Sequence, residues 1–281
     1  MPVADGRAAA FFDLDKTIIA KSSTLAFSRS FYQGGLISRA SVLRSSYAQF
    51  IFLVAGTGQR KMDRMRRYLT AQATGWDVET VKAIVAETLH HIVDPLVYDE
   101  AVSLIEQHHR EGRDVVIVST SGAEVVEPIG AMLGADRVIA TVMVQVDGRY
   151  TGDIEFYAYA ENKAIAIRAL ADSHGYDLSA SYSYSDSASD IPMLEAVGHP
   201  HAVNPDKVLR RTAAARGWPV LDFTKPVRLR KRLPFETHRT TAAAVALGAG
   251  AAAAGAVFAS RRARRVALAT PVAMSTAKQI S

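Results

Sequence analysis

The sequence contains no cysteine. Disulfide bonds and thiolate metal sites are therefore excluded, which suits a reducing compartment. A signal peptide is not expected either, because Asp5, Asp13 and Asp15 interrupt any apolar run near the N-terminus. Residues 47–54 form an apolar block that is too short to span a bilayer. Hydrophobic residues nevertheless make up 49% of the 281 residues, enough for a sizeable core in one large domain or two.

Acidic residues are almost missing from the C-terminal end. From Pro226 onward the chain carries ten basic residues and one acid, Glu236. Because the whole chain has a formal net charge of +5, residues 1–225 are net negative. The basic character therefore belongs to the segment 226–281 and not to the body.

Within this segment, residues 241–259 carry no charge, and eleven of these nineteen residues are alanine. The stretch is long enough for a bilayer but only weakly apolar, and basic residues flank it on both sides. The sequence predicts an Ala-rich helix that spans or rests on a membrane, with a soluble or poorly ordered tail as the alternative. Binding of nucleic acid through charge alone is the least favoured alternative. With such a helix, a catalytic body would face the cytoplasm at the inner face of the membrane.

Apolar strands alternate with helical patterns along the body. Short runs that we predict to be strands occur at 8–14, 114–118, 181–185, 202–204 and 218–223. Strands that alternate with helices predict an α/β fold, with a Rossmann-like parallel sheet and helices on both faces. Asp147-Gly148 is a strong signal for a two-residue hairpin.

The first two strands are separated by a long helical pattern. Asp77 can cap a helix whose residues Val78, Val81, Val85 and Leu89 share one face. We predict a catalytic core of residues 1–20 and 96–225, with a helical cap of residues 21–95 inserted after the first strand. The adjacent pairs His90-His91 and His108-His109 split across helix surfaces, so they are predicted to face solvent and not to bind metal.

Polar side chains follow three of the predicted strands. They are the carboxylates of Asp13 and Asp15, the hydroxyls of residues 119–121, and the carboxylates of Asp186 and Asp190. Ligands of parallel sheets bind beyond the carboxyl ends of the strands. Two neighbouring carboxylates also repel each other unless a cation or a shared proton holds them. The three clusters therefore indicate a single site.

Each of these residues alone has a structural explanation. Asp13 and Asp15 could mark a polar strand end, and Ser119 could cap a helix. Lys163 could be a surface charge. Asp186 and Asp190 could flank a turn in which an Asp side chain binds the backbone.

In combination, four stretches resemble the motifs of the haloacid dehalogenase superfamily. They are Asp13-Leu14-Asp15-Lys16-Thr17, Val118-Ser119-Thr120-Ser121-Gly122, Lys163, and Ser185-Asp186-Ser187-Ala188-Ser189-Asp190. Their order and spacing agree over residues 8–222. A helical cap between the first two motifs is similar to subfamily IB, the branch that contains phosphoserine phosphatases.

The resemblance implies Mg²⁺-dependent hydrolysis of a phosphomonoester. Asp13 would attack phosphorus to form an aspartyl-phosphate. Asp15 would protonate the leaving oxygen and later activate water. Lys163 would neutralise charge shared by the phosphate and Asp13.

The remaining implied roles concern binding. The Mg²⁺ ligands would be Asp13, the backbone carbonyl of Asp15, and Asp186, with Asp190 and Thr17 supporting them from behind. Ser119, the backbone N–H of Thr120, and Lys163 would bind the phosphate, with the first two at a helix N-terminus.

One position departs from the phosphoserine phosphatase pattern. Those enzymes carry an acidic residue nine positions after the nucleophile, where it binds the substrate ammonium. Here Ser22 occupies that position beside Lys21, which would repel an ammonium group. The expected substrate is therefore a small or lipid-linked phosphomonoester other than phosphoserine. Alternatives are a phosphotransferase that uses the same intermediate, and a non-catalytic, membrane-tethered binding protein.

Overall fold

The computed structural model describes residues 7–36, 70–71 and 73–224. Much of the predicted cap lies outside these residues, and so does the whole of segment 226–281. The domain boundaries and the membrane helix therefore stay predictions. Among the helices of the described residues, none combines the length and apolarity needed to cross a membrane.

Seven strands form one sheet within the described part of the chain. They are β1 (Ala9–Phe12), β2 (Asp114–Gly122), β3 (Arg137–Val146), β4 (Arg149–Phe156), β5 (Tyr182–Ser185), β6 (His199–Val203) and β7 (Val220–Leu221). The order across the sheet is β4-β3-β2-β1-β5-β6-β7. All neighbours are parallel except β3 and β4.

Helices connect these strands. The α-helices are α1 (Ser23–Gln33), α2 (Val78–Val93), α3 (Asp99–Arg110), α4 (Ala123–Leu133), α5 (Glu161–His174), α6 (Ile191–Glu195) and α7 (Lys207–Arg216). The chain first moves from β1 toward β4 and then returns through β5 toward β7. Because parallel crossovers are right-handed, this reversal puts α3 and α4 on one face and α5 to α7 on the other. The predicted α/β fold is confirmed.

Strand β1 lies at the centre of the sheet. All four of its residues are fully buried, which explains the continuous apolar run, since a central parallel strand is covered on both faces. Phe12 is in register with Ile117 of β2 and Tyr184 of β5. The next residue, Asp13, donates its backbone N–H to the carbonyl of Tyr184 at 2.9 Å. The sheet therefore fixes Asp13 at the carboxyl ends of its central strands.

Two local predictions are confirmed. Asp77 caps α2 by accepting the N–H of Thr80 at 2.8 Å, and the predicted apolar face of α2 is buried. Asp147 and Gly148 both have positive φ, 49° and 74°, as a two-residue turn between antiparallel β3 and β4 requires. The resulting hairpin pairs with the segment before α2, because Tyr150 exchanges backbone hydrogen bonds with Gly75 and Trp76 at 2.8 and 3.1 Å.

The prediction that His108 faces solvent is wrong. Position 108 lies seven residues after Ala101 and three after Ile105, so it shares the buried face of α3. The His108 Nδ1 atom accepts from Arg113 Nε at 2.7 Å, and Nε2 lies 2.9 Å from the hydroxyl of Tyr184. Burial, together with the charge of Arg113, lowers the pKa of His108 to about 4.

We expect His108 to make stability depend on pH. The folded protein keeps His108 neutral, whereas the unfolded chain binds a proton below pH about 6.5. The contribution of His108 to the free energy of unfolding is complete above pH about 6.5 and is lost as the pH falls toward about 4. The free energy of unfolding, measured with urea, should therefore fall by about 2 kcal/mol more in the wild type than in His108→Gln between pH 7 and pH 4.5. Parallel curves for the two proteins would contradict this expectation. Because Arg113, His109, His201, Tyr182 and Tyr184 surround the ring and stay unchanged in both proteins, the difference isolates His108.

Candidate active site

A buried ammonium group joins two of the predicted motifs. Lys163 Nζ donates to Asp13 Oδ1 at 2.7 Å and to Asp190 Oδ2 at 2.8 Å. All three side chains are buried, with exposed fractions of 1% for Lys163, 6% for Asp13 and 2% for Asp190. Burial lowers the pKa of Lys163, but the two carboxylates raise it by more, so its net pKa lies above the ordinary value. Lys163 is therefore a fixed positive charge at the end of β1.

Lys163 reaches this place through a segment anchored on β2. The helix α5 begins at Glu161, after Ala160 with φ of 50°. Thr120 Oγ1 donates to the carbonyl of Ala158 at 2.9 Å. The side chain of Thr120 therefore secures the approach to α5 instead of being free for a ligand.

The fourth motif forms a tight loop after β5. Ser185 Oγ donates to Asp190 Oδ2 at 2.7 Å, so this serine holds the carboxylate that binds Lys163. The backbone N–H of Asp206 donates to the carbonyl of Asp186 at 2.8 Å, and the Asp206 carboxylate accepts the N–H of Ala188 at 2.9 Å. The sequence reading missed Asp206. The signal that the sequence offers for Asp206 is that of a helix-capping residue, because Asp206 also caps α7.

The site holds more negative than positive charge. Burial raises the pKa of Asp13 well above its usual range, although Lys163 opposes the shift. Burial also raises the pKa of Asp186 to about 7, against the opposing charge of Lys16. Both shifts disfavour the charged form of the carboxylates, and additional positive charge nearby would oppose them.

Ser23 and Ser121 donate hydrogen bonds to the carboxylate of Asp15. Its Oδ1 accepts the backbone N–H of Ser23 at 2.7 Å, and its Oδ2 accepts the hydroxyl of Ser121 at 3.1 Å. Burial raises the pKa of Asp15, and these hydrogen bonds partly offset the increase. Thr17, which was predicted to support the site, lies with its hydroxyl 3.3 Å from Asp13 Oδ2.

Ser119 is buried as the site requires, but it does not lie at a helix N-terminus. Strand β2 continues through Gly122, and α4 begins only at Ala123. The extension arises because Ser119 and Gly122 both pair with β3, across a shift in register. Ser119 Oγ accepts the N–H of Ser121 at 3.2 Å. Ser119 and Thr120 therefore belong to the last residues of a strand, and that part of the prediction is wrong.

The order of these residues along the chain agrees with a known protein family. The sequence model of the family described as haloacid dehalogenase-like hydrolase matches residues 10–195. The chain belongs to this family. The haloacid dehalogenase-like segment contains every residue assigned above to the site except Asp206.

Curated relatives extend over nearly the whole haloacid dehalogenase-like chain. The chain is 64% identical over 266 residues to the "Inhibition of morphological differentiation protein" of Streptomyces azureus, covering 93% of this chain and 96% of the relative. It is 59% identical over 251 residues to a probable phosphatase of Mycobacterium tuberculosis, covering 89% and 88%. A phosphoserine phosphatase of the same species is 32% identical over 266 residues, covering 94% and 84%. These relatives confirm the predicted family and the prediction of a phosphatase.

Solved structures agree with the fold. A protein of unknown function from Bordetella pertussis Tohama I superimposes with a TM-score of 0.68 at 28% identity, covering 77% of this chain and 99% of the other. A phosphoserine phosphatase in its apo form gives a TM-score of 0.57 at 18% identity, covering 81% and 99%. At 18% identity, the phosphoserine phosphatase structure supports a shared fold and nothing more.

Replacing Lys163 by methionine should destabilise the protein strongly. The substitution keeps most of the length of the side chain but leaves Asp13 and Asp190 buried without their ammonium partner. Breaking a buried pair in this way costs about 3–5 kcal/mol, which urea unfolding at pH 7 would measure. The matched control is Lys82→Met, which removes an exposed pair with Glu79 on α2 and should change stability little. Equal losses in the two variants would contradict the expected role of burial.

Proposed function

We propose that this phosphatase is a Mg²⁺-dependent phosphomonoester hydrolase that works through an aspartyl-phosphate on Asp13. The observation that carries the proposal is the pair of carboxylates after β1, each held in its own environment. Asp13 lies against the ammonium of Lys163, whereas Asp15 is bound by Ser23 and Ser121. Two carboxylates in different environments can take different chemical roles.

In the first step, a carboxylate oxygen of Asp13 attacks phosphorus, and the bond to the leaving oxygen breaks. Asp15 passes its proton to that oxygen and becomes a carboxylate. In the second step, Asp15 takes a proton from water, whose oxygen attacks phosphorus and releases Asp13. Lys163 stabilises the negative charge near Asp13 in both steps, and Ser119 with the backbone N–H of Thr120 binds the phosphate oxygens.

The donor chemistry fits a magnesium ion. Among the described residues, no group of three or more acidic or histidine side chains could hold a metal ion by itself. Mg²⁺ does not need such a cage, because it usually keeps several waters and takes one or two carboxylates. Asp13 and Asp186 would bind it with the backbone carbonyl of Asp15. Burial raises the pKa of both carboxylates, and a bound cation would favour their charged forms. The ion would supply positive charge to the phosphate oxygens.

Asp13→Asn should abolish hydrolysis. An amide of the same shape is a far poorer nucleophile than a carboxylate, so the rate with 4-nitrophenyl phosphate and Mg²⁺ should fall at least about a thousandfold. Chelation by EDTA should stop the wild type, and added Mg²⁺ should restore it. The matched control is Asp153→Asn, at an exposed position of β4, which should keep the wild-type rate. If Asp13→Asn hydrolysed the substrate as fast as the wild type, the proposed mechanism would be wrong.

The substrate that we propose carries no ammonium group close to its phosphate. Ser22 stands where phosphoserine phosphatases place an acidic residue, and it directly precedes α1. Lys21 beside it is exposed. The neighbouring Ser23 binds Asp15 through its N–H, so this part of the chain lies at the site. We therefore expect the positive charge of Lys21 to act on the substrate.

Phosphoserine should therefore be a poorer substrate than the same compound without its amino group. We expect a lower kcat/KM for phosphoserine, measured as phosphate release with Mg²⁺. The variant Ser22→Glu should raise the relative kcat/KM for phosphoserine, because a carboxylate attracts the ammonium group. Ser22→Gln has the same size without the charge and should not. A wild-type preference for phosphoserine would overturn this choice of substrate class.

A further inference from the structure

Three hydroxyl groups converge beside the carboxylate of Asp15. Ser121 Oγ lies 3.1 Å from Asp15 Oδ2, 2.8 Å from Ser23 Oγ and 3.2 Å from Thr24 Oγ1. Ser23 is fully buried, and Ser121 is 7% exposed. The cluster joins the end of β2 to the first turn of α1, around a residue to which the proposed function gives a proton-transfer role.

Hydrogen-bonding capacity fixes the direction of the contact between Ser121 and Asp15. An ionised Asp15 can only accept, so Ser121 must donate its single hydroxyl proton to Oδ2. The two lone pairs of Ser121 Oγ can then accept from the hydroxyls of Ser23 and Thr24. With the backbone N–H of Ser23 on Oδ1, both oxygens of Asp15 have a donor. The arrangement suits the charged form of Asp15.

We propose that Ser121 is a positioning residue for Asp15, and that its hydroxyl favours the transfer of the Asp15 proton to the leaving oxygen. As the bond from phosphorus to that oxygen breaks, the proton leaves Asp15 and negative charge develops on its carboxyl group. A donor already aimed at Oδ2 stabilises this charge without reorganisation. The inference rests on the proposed function, because it requires Asp15 to be the acid.

This role makes a prediction that a purely structural role does not. A poor leaving group, such as the phenolate of phenyl phosphate, needs a proton as it departs. The 2,4-dinitrophenolate ion departs without one. Loss of the Ser121 hydroxyl should therefore slow the first substrate much more than the second. The kcat/KM value reports this step, because it covers the reaction up to the release of the leaving group.

The experiment measures kcat/KM of the full chain with Mg²⁺ for phenyl phosphate and for 2,4-dinitrophenyl phosphate. Ser121→Ala should lose about tenfold with phenyl phosphate and less than about twofold with 2,4-dinitrophenyl phosphate. The ratio of the two values does not depend on the fraction of protein that is correctly folded. Ser121→Thr keeps the hydroxyl and should keep the wild-type ratio.

The matched control is Ser183→Ala. Ser183 is fully buried in β5, and its hydroxyl has no hydrogen-bond partner among the described residues, so its removal should leave the ratio unchanged. Equal losses for both substrates in Ser121→Ala, or an equal shift of the ratio in Ser121→Thr or Ser183→Ala, would overturn the inference. The variant Asp15→Asn distinguishes a failure of the acid role of Asp15 from a failure of the role of Ser121. If Asp15→Asn also loses activity equally with both substrates, the proposed acid role of Asp15 fails. If Asp15→Asn favours 2,4-dinitrophenyl phosphate and Ser121→Ala does not, only the role of Ser121 fails.

Discussion

The contact of Lys163 with Asp13 and Asp190 is the interaction on which the site depends. It joins the central strand, the start of α5 and the loop after β5, which lie far apart in the sequence. Burying one ammonium with two carboxylates is costly unless every partner is in place. Two hydrogen bonds therefore help to keep the charged groups together. Ser185 donates one to Asp190, and Thr120 donates the other to the segment before α5. The same arrangement leaves net negative charge that a cation would balance.

The sequence allowed most of the architecture to be predicted, because the strands and helices follow local periodicity. The apolar run before Asp13 and the capped helix after Asp77 needed no knowledge of their neighbours. His108 was mispredicted for the opposite reason. Its spacing from Ala101 and Ile105 places it on the buried face of α3, but a buried histidine there also needs the hydrogen bonds of Arg113 and Tyr184, which lie outside that helix.

The site was predictable only in part. Polar residues after buried strands pointed to Asp13, Asp15, Asp186 and Asp190 because parallel strands end at one edge of a sheet. The same argument brought Ser121 to the site with Ser119 and Thr120, but it did not pair Ser121 with Asp15, from which it is 106 residues away. The placement of Ser119 at a helix N-terminus failed because a shift in register prolongs β2, which no local pattern reveals.

The pairing of Tyr150 with Gly75 and Trp76 has a further consequence for the exposed edges of the sheet. Strand β4 ends the sheet on one side, and an unpaired edge strand invites pairing with other chains. The segment before α2 occupies the backbone groups of Tyr150, while the opposite edge strand, β7, has two residues. A fragment without the segment before α2 would keep Asp13, Lys163 and Asp190 but would carry an open edge at β4. At Tyr150, the segment before α2 thus also closes the edge of the sheet to a further strand.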